Sequence, residues 1–222
     1  MKLGVAVPCY PGHIPHVLTL LDSIETQTSK PDKVVVSCSS TTEKFIKKPY
    51  SFPLEILLIP DVRNAAQNRN LAGSRLTDMD YITYFDADDV MHPQRIEILR
   101  RIFQLTDCDI ILHDYSMEQN FSLLNLDTIL YRVNSLVQAP SGCITHKDVQ
   151  YFYKKEQIHH SQSSIKASLL TRVQYPEEKE FCNKEDCVFC YRIFGLHDVH
   201  NVYVNHKLSY YKSSNSQHEL TV

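Results

Sequence analysis

The 222-residue sequence predicts an α/β fold, a Rossmann-like α/β/α sandwich with a mostly parallel mixed central sheet. Three observations carry that expectation. Short β-rich apolar runs alternate with helical apolar spacing as far as Leu112, the pattern of parallel strands joined by crossover helices. One run, Tyr81-Ile82-Thr83-Tyr84-Phe85, stops abruptly in Asp86-Ala87-Asp88-Asp89, which puts charge at the carboxyl end of a buried strand, where open α/β sheets keep their ligands. Only five glycines occur, and they form neither a G-x-G-x-x-G fingerprint nor a P-loop, so any bound phosphate must be held by other means.

The elements follow in order. Leu3 to Val7 reads as a buried strand, and Ile14, Val17, Leu18, Leu21 and Ile24 fall at helical spacing. Lys33 to Val36 and Leu54 to Ile59 read as strands, Asn64 to Leu76 as a helix and Tyr81 to Phe85 as the fourth strand. Pro93 to Leu105 carries Ile96, Leu99, Ile102 and Phe103 on one helical face, and Asp109 to Leu112 is a fifth strand. Beyond Asp114 the periodicity weakens. Residues 115–160 read as loops and short strands with a Ser141-Gly142 turn and a helix near Lys147 to Lys155. Ile165 to Leu170 is expected as a strand, Lys184 to Phe194 as a helix, and Asn201 to Val204 and Leu208 to Tyr211 as two more strands.

With 43% hydrophobic and 22% charged residues, the chain is expected to be an ordinary globular protein of one domain, residues 1–222. A net charge of -3 excludes a polycation, so nucleic acid is not an expected partner. No apolar run of about 18 residues exists to cross a bilayer, and the start Met1 to Pro8 is too short for a secretory signal. Seven cysteines, an odd count, argue against a disulfide framework and for reduced thiols. A cytoplasmic location is expected. Asn120-Phe121-Ser122 is then a chance sequon.

The acids of Asp86-Ala87-Asp88-Asp89 admit two explanations. Asp88 or Asp89 could cap the helix that follows Pro93, as Asp and a first-turn Pro often do. One cap does not require three carboxylates, whose mutual repulsion is relieved by a shared cation, and oxygen ligands of this kind suit Mg²⁺ or Mn²⁺ with substrate phosphates.

The order of the parts is more specific than the D-x-D alone. A strand ending in Pro8-Cys9-Tyr10, a second ending at Ser37, the helix of Gln67-Asn68-Arg69-Asn70, the Asp86-Ala87-Asp88-Asp89 segment and a late Lys184-Glu185-Asp186 together resemble family 2 glycosyltransferases of the GT-A fold. The resemblance runs from Leu3 to about Lys212. It implies a nucleotide-binding half, 1–114, and an acceptor-binding half, 115–222. It further implies that Pro8 and Tyr10 form the turn against the nucleobase, that Arg69 reaches the nucleotide, and that Asp86 binds the ribose or the water shell of the metal. Asp88 would ligate Mn²⁺ or Mg²⁺, Asp89 would cap or support, and Asp186 would be the catalytic base. The plainer readings are packing for Tyr10, a solvated helix position for Arg69, and first-turn acids favoured by the helix dipole for Glu185 and Asp186.

Two positions depart from the family pattern. Ser37-Cys38-Ser39-Ser40 stands where an Asp-Asp-Gly-Ser run is common, so a hydroxyl replaces the acid that recognises uracil, which admits another base or a looser uracil contact. Tyr210-Tyr211-Lys212 looks like the Tyr-x-Tyr-Arg ending with Lys for Arg, which keeps the charge and loses the fork.

The implied activity is metal-dependent, inverting transfer from a nucleotide-diphosphate sugar, UDP-sugar favoured, to a hydroxyl of a glycan or glycoconjugate. A partner domain or protein completing the acceptor site is also implied. The rivals are a nucleotidyltransferase and a noncatalytic nucleotide-sugar or glycan-binding module. His206 and His218 are candidate additional metal ligands, and His159-His160 is expected at the surface. Cys182, Cys187 and Cys190 fall short of a four-ligand zinc pattern and read as structural thiols.

Overall fold

The alternation of strand and helix does produce a layered sheet. The computed structural model describes residues 1–133, 136–138, 140–141 and 158–212. Its strands are β1 (Leu3–Cys9), β2 (Lys33–Ser39), β3 (Leu54–Ile59), β4 (Tyr81–Tyr84), β5 (Val90–Met91), β6 (Ile110–Ser116), β7 (Tyr131–Val133), β8 (Leu136–Gln138), β9 (Ser164–Lys166) and β10 (Asn201–Tyr210). The helices are α1 (Ile14–Glu25), α2 (Ala65–Ser74), α3 (Arg95–Thr106) and α4 (Glu185–Phe194).

One sheet holds all the strands among the described residues, in the order β3-β2-β1-β4-β9-β6-β10-β7-β8, with β5 paired to β10. β1, β2, β3 and β4 run parallel, as do β6 and β10. β9 enters antiparallel between β4 and β6, and β5 and β7 lie antiparallel to β10. Because β9 and β10 come from the second half of the chain, both halves build the same sheet.

β1 is buried along its whole length, as expected of a central parallel strand. Its Leu3, Val5 and Val7 pack with Val17, Leu20, Leu21 and Ile24 of α1 and with Ile98, Leu99 and Ile102 of α3. Ala6 belongs to the opposite core, with Ala66 and Ala72 of α2 and Phe189 and Ile193 of α4. Two helical layers therefore cover one sheet. The α2 layer sits close: a Cβ on Gly73 would lie 2.5 Å from the Tyr84 hydroxyl, so only glycine fits there.

The helix ends are set locally. Asn64 and Gln67 form a reciprocal capping box at the start of α2. Gln94 precedes α3 without a side-chain cap, so neither Asp88 nor Asp89 serves the capping role. α3 ends at Asp107, in the left-handed conformation at φ 47.

Several expectations need correction. Only Ser164–Lys166 of the expected 165–170 strand is extended; Ala167–Thr171 turns into a 3-10 helix that buries Leu169 and Leu170. The two final strands are one, Asn201–Tyr210, irregular where its register against β6 shifts after Val204. β6 runs four residues past Leu112, and β5 was not foreseen. The expected helix at Lys147 to Lys155 lies outside the described residues.

Candidate active site

The carboxyl ends of β1, β2 and β4 open into a cleft of about 390 Å³, within the range of small-molecule sites. Pro8, Tyr10, Arg69, Asp86 and Asp88 all line it, so five of the six expected site residues meet from the ends of two strands, β1 and β4, and from α2.

α2 supplies the cationic centre. The Arg69 guanidinium, only 5% exposed, donates from Nη2 to Asp86 Oδ1 at 2.8 Å and from Nη1 to Glu185 Oε1 at 2.7 Å. Its Cζ stands 5.3 Å from the Tyr175 ring centroid. Burial opposes the charge, but Asp86, Tyr175 and Glu185 more than offset it and keep the group cationic. One residue earlier, Asn68 accepts from Ser37 Oγ at 2.9 Å and donates to Ser39 Oγ at 3.1 Å, tying α2 to the end of β2.

The three carboxylates have separate environments. Burial opposes ionisation of Asp86, yet Arg69, His159 and a hydrogen bond from Ser161 hold it below the usual carboxylate range. Asp88 has no such clamp, and burial together with the Asp86 charge pushes it up to about 7. The imidazole Nε2 of His13 lies 3.6 Å from Asp88 Oδ2. Asp89 is buried and accepts from Gln162 Nε2 at 2.6 Å and from the Lys212 backbone N–H at 2.9 Å. Burial and the two neighbouring acids raise Asp89 well above its ordinary value. The second bond ties Asp89 to the segment after β10 that carries Tyr211 and Lys212.

At Tyr10 a 3-10 turn, Pro11–His13, carries the chain from β1 to α1. The Tyr10 ring lies over Gly12, where an added Cβ would come within 2.6 Å of it, and 4.1 Å from the His13 ring centroid. Asp186 occupies the first turn of α4 beside Glu185, and its Oδ1 accepts from the Cys187 N–H at 2.8 Å. Glu185 reaches the cleft wall through Arg69, while the charge of Asp186 is felt by Arg69, His159 and His160.

His159 corrects the surface expectation. It is buried beside the acids, with Nε2 3.5 Å from Asp89 Oδ2 and Nδ1 2.9 Å from Ser161 Oγ, between the rings of Tyr115 and Tyr211. Burial pushes its pKa down to about 4. Arg95 was also missed. It has no exposed surface, donates to His113 Nε2 at 3.1 Å and to the Gln162 carbonyl at 2.9 Å, and lies 5.0 Å from the Phe85 ring centroid. Arg95 and Gln162 thus brace Asp89 from below.

The remaining metal candidates fall elsewhere. His206 accepts from the Leu130 N–H at 3.0 Å and is pushed down to about 4 by burial, and His218 lies outside the described residues. Cys182 is exposed, Cys187 half-buried and Cys190 buried, all as free thiols. Among the described residues no three His, Cys, Asp or Glu side chains converge as a metal cage. The donors that do face one another, an Asp88 carboxylate oxygen and the His13 nitrogen, suit a divalent ion completed by phosphate and water.

Comparison with known proteins gives a consistent relationship. The profile described as "Glycosyl transferase family 2" matches residues 4–121. An uncharacterized glycosyltransferase of Haemophilus influenzae is 30% identical over 118 residues, 52% of this chain and 40% of that protein. TarS residues 1–349 of S. aureus, solved in complex with UDP, superimpose with a TM-score of 0.65 at 15% identity over 96% of this chain and 60% of that one. The corresponding complex with UDP-GlcNAc gives 0.65 at 15% identity over 96% and 58%. A CMP:2-keto-3-deoxy-manno-octonic acid synthetase complexed with CTP gives 0.53 at 11% identity over 94% and 91%. Likeness at these identities shows the fold, and the chain spans less than two thirds of the Haemophilus protein and of these TarS chains. The family match covers more than half of the sequence and takes in β1, β2, α2 and the Asp86-Ala87-Asp88 segment that line the cleft, and the chain belongs to glycosyl transferase family 2.

Proposed function

We propose that the chain is a divalent-metal-dependent, inverting glycosyltransferase that moves a sugar from a nucleoside diphosphate, UDP favoured, to an acceptor hydroxyl of a glycan or glycoconjugate. The observation that carries this reading is the division of labour among the acids. Arg69 pairs with Asp86, whereas Asp88 faces the same cleft and is pushed up to about 7 by burial and by the Asp86 charge. Such a carboxylate favours a bound cation.

In this reading Pro8 and Tyr10 hold the nucleobase, and Asp86, oriented by Arg69, meets the ribose. Asp88 holds Mn²⁺ or Mg²⁺, which when bound supplies Lewis-acid stabilisation of the departing diphosphate. Lys212, held beside the acids by Asp89, adds a point charge near the phosphates. Asp186 accepts the proton of the acceptor hydroxyl as it attacks the anomeric carbon from the face opposite the leaving group. One base and one leaving-group site give a single displacement, hence inversion. Residues 1–114 serve the nucleotide and 115–222 the acceptor, with a partner domain or protein completing the acceptor site. The six free thiols among the described residues support a reducing, cytoplasmic setting, and no described helix is long and apolar enough to cross a membrane.

The nucleotidyltransferase alternative shares the sheet, as the synthetase likeness illustrates, but calls for a glycine-rich or basic loop after the first strand, where this chain has Pro8-Cys9-Tyr10-Pro11. A noncatalytic module keeps the pocket and does not need Asp186. Product stereochemistry by NMR, compared between the native chain and Asp186→Asn, tests the reading. Inversion with transfer lowered about 10²–10⁴-fold at unchanged donor affinity supports a general base at Asp186. Retention of configuration, or full activity in the variant, contradicts it.

A further inference from the structure

We propose that His13 is a second protein ligand of the divalent ion, making with Asp88 a mixed nitrogen and oxygen site that selects Mn²⁺ over Mg²⁺. The inference rests on the metal-dependent reading above and adds a residue that the D-x-D segment does not contain.

Position is the first argument. His13 ends the tight Pro11–His13 turn, and its backbone N–H bonds the Tyr10 carbonyl at 2.8 Å, which fixes the turn that aims the ring. Tyr10 packs on the imidazole at 4.1 Å between centroids, limiting its rotation. The ring therefore arrives at the cleft in one orientation, with His13 and Asp88 each about one-tenth exposed.

Distance is the second argument. His13 Nε2 and Asp88 Oδ2 are 3.6 Å apart, longer than a good hydrogen bond. Two donors at that separation can both stand about 2.2 Å from one ion, at an angle near ~110°. Asp86 is the less available partner, because its Oδ1 is already held by Arg69 at 2.8 Å. The protein then contributes two ligands, and phosphate oxygens and water complete the shell, as is usual for ions that bridge a nucleotide.

Chemistry supplies the selectivity. Mn²⁺, a transition metal, tolerates an imidazole nitrogen among oxygen ligands, whereas Mg²⁺ dehydrates reluctantly and keeps to oxygen. A site built only from Asp88 and phosphates would show little such preference.

The test uses Mn²⁺ with UDP and the chain labelled with ¹⁵N-histidine, read by pulsed EPR and by Mn²⁺ titration. The inference expects a histidine ¹⁵N coupling to bound Mn²⁺ that is absent in His13→Asn and His13→Gln. It also expects a Mn²⁺ affinity at least about tenfold weaker in both variants, with a smaller loss for Mg²⁺. Circular dichroism and metal-free melting identify a variant that fails to fold; loss of the coupling in a folded His13 variant assigns it to His13, and absence of any histidine coupling in the native chain overturns the inference without a variant. Mn²⁺ bound in an Asp88-dependent way with no histidine coupling overturns the role of His13 and leaves the metal reading standing. No Mn²⁺ bound by the native chain with UDP overturns both.

Discussion

Arg69 and Glu185 stand 116 residues apart in the chain and meet at 2.7 Å, in a buried contact that joins α2 to α4 in the cleft wall. The same guanidinium holds Asp86 at 2.8 Å, so one side chain sets the position of the D-x-D segment and of the helix that carries Asp186. Arg69 acts through these neighbours, as a positioning residue.

Removing it leaves two largely buried carboxylates without their cation. Arg69→Met is expected to cost about 3–5 kcal/mol of stability, the scale of breaking a buried ion pair from one side. Arg69→Lys should recover part of the stability, because an ammonium supplies charge without the fork that reaches both acids. Thermal melting of the three proteins checks the order. A native-like melting temperature in Arg69→Met would show that the pair carries little energy.

Asp88 gives a pH-dependent signature. Its folded pKa, about 7, lies above the ordinary carboxylate value, so the folded chain binds the proton more tightly than the unfolded chain does. Its contribution to stability is thus full at low pH and is lost as pH rises from about 4 towards 7. Asp88→Asn should therefore raise the melting temperature of the metal-free protein at pH 8, by about 3–6 °C for a gain of about 1–2 kcal/mol, and change it little at pH 4. Equal shifts at both values would contradict the electrostatic cause.

His206 predicts the opposite slope on the acid side. Its folded pKa, pushed down to about 4 by burial, lies below the ordinary histidine value, so its stability contribution is present above about 6.5 and lost as pH falls towards 4. His206→Gln should flatten the dependence of unfolding free energy on pH across that window, whatever it does to the absolute value. Urea titrations from pH 4 to pH 7 measure the slope.

Gly12 tests the turn beneath Tyr10. A methyl group there would lie 2.6 Å from the Tyr10 ring, so Gly12→Ala must move the ring or the turn. Nucleotide affinity is expected to fall about tenfold, the scale of losing one aromatic stacking contact, with little change in melting temperature. Calorimetric titration with UDP decides it; unchanged affinity would place the nucleobase away from Tyr10.

The parallel half of the sheet was legible because β1, β2 and β4 are buried on both faces and their apolar runs are continuous, while α1 and α3 repeat apolar residues at helical spacing. β9 was less so. A three-residue strand followed by a 3-10 helix presents the same apolar run, Ile165 to Leu170, as a longer strand would. β10 reads as two strands because Asn205, His206 and Lys207 interrupt its apolar pattern where the register shifts. Within the cleft, the strand-end acids and Arg69 were visible as motif residues. His159 and Arg95 were not, because a buried histidine and a buried arginine look like surface residues until the fold brings Asp89, Gln162 and His113 to them. His13 follows Tyr10 by only three positions, and its approach to Asp88 depends on the parallel pairing that sets the β1 and β4 ends side by side, which no local pattern encodes.

The most direct test is nucleoside diphosphate release from UDP-, GDP- and dTDP-sugars with Mn²⁺, Mg²⁺ or EDTA, in the native chain, Asp88→Ala and Asp186→Asn. Metal-dependent release from one donor, abolished by Asp88→Ala and strongly lowered by Asp186→Asn, is the predicted result. Neither release nor nucleotide binding under any of these conditions would contradict the proposed glycosyl transfer.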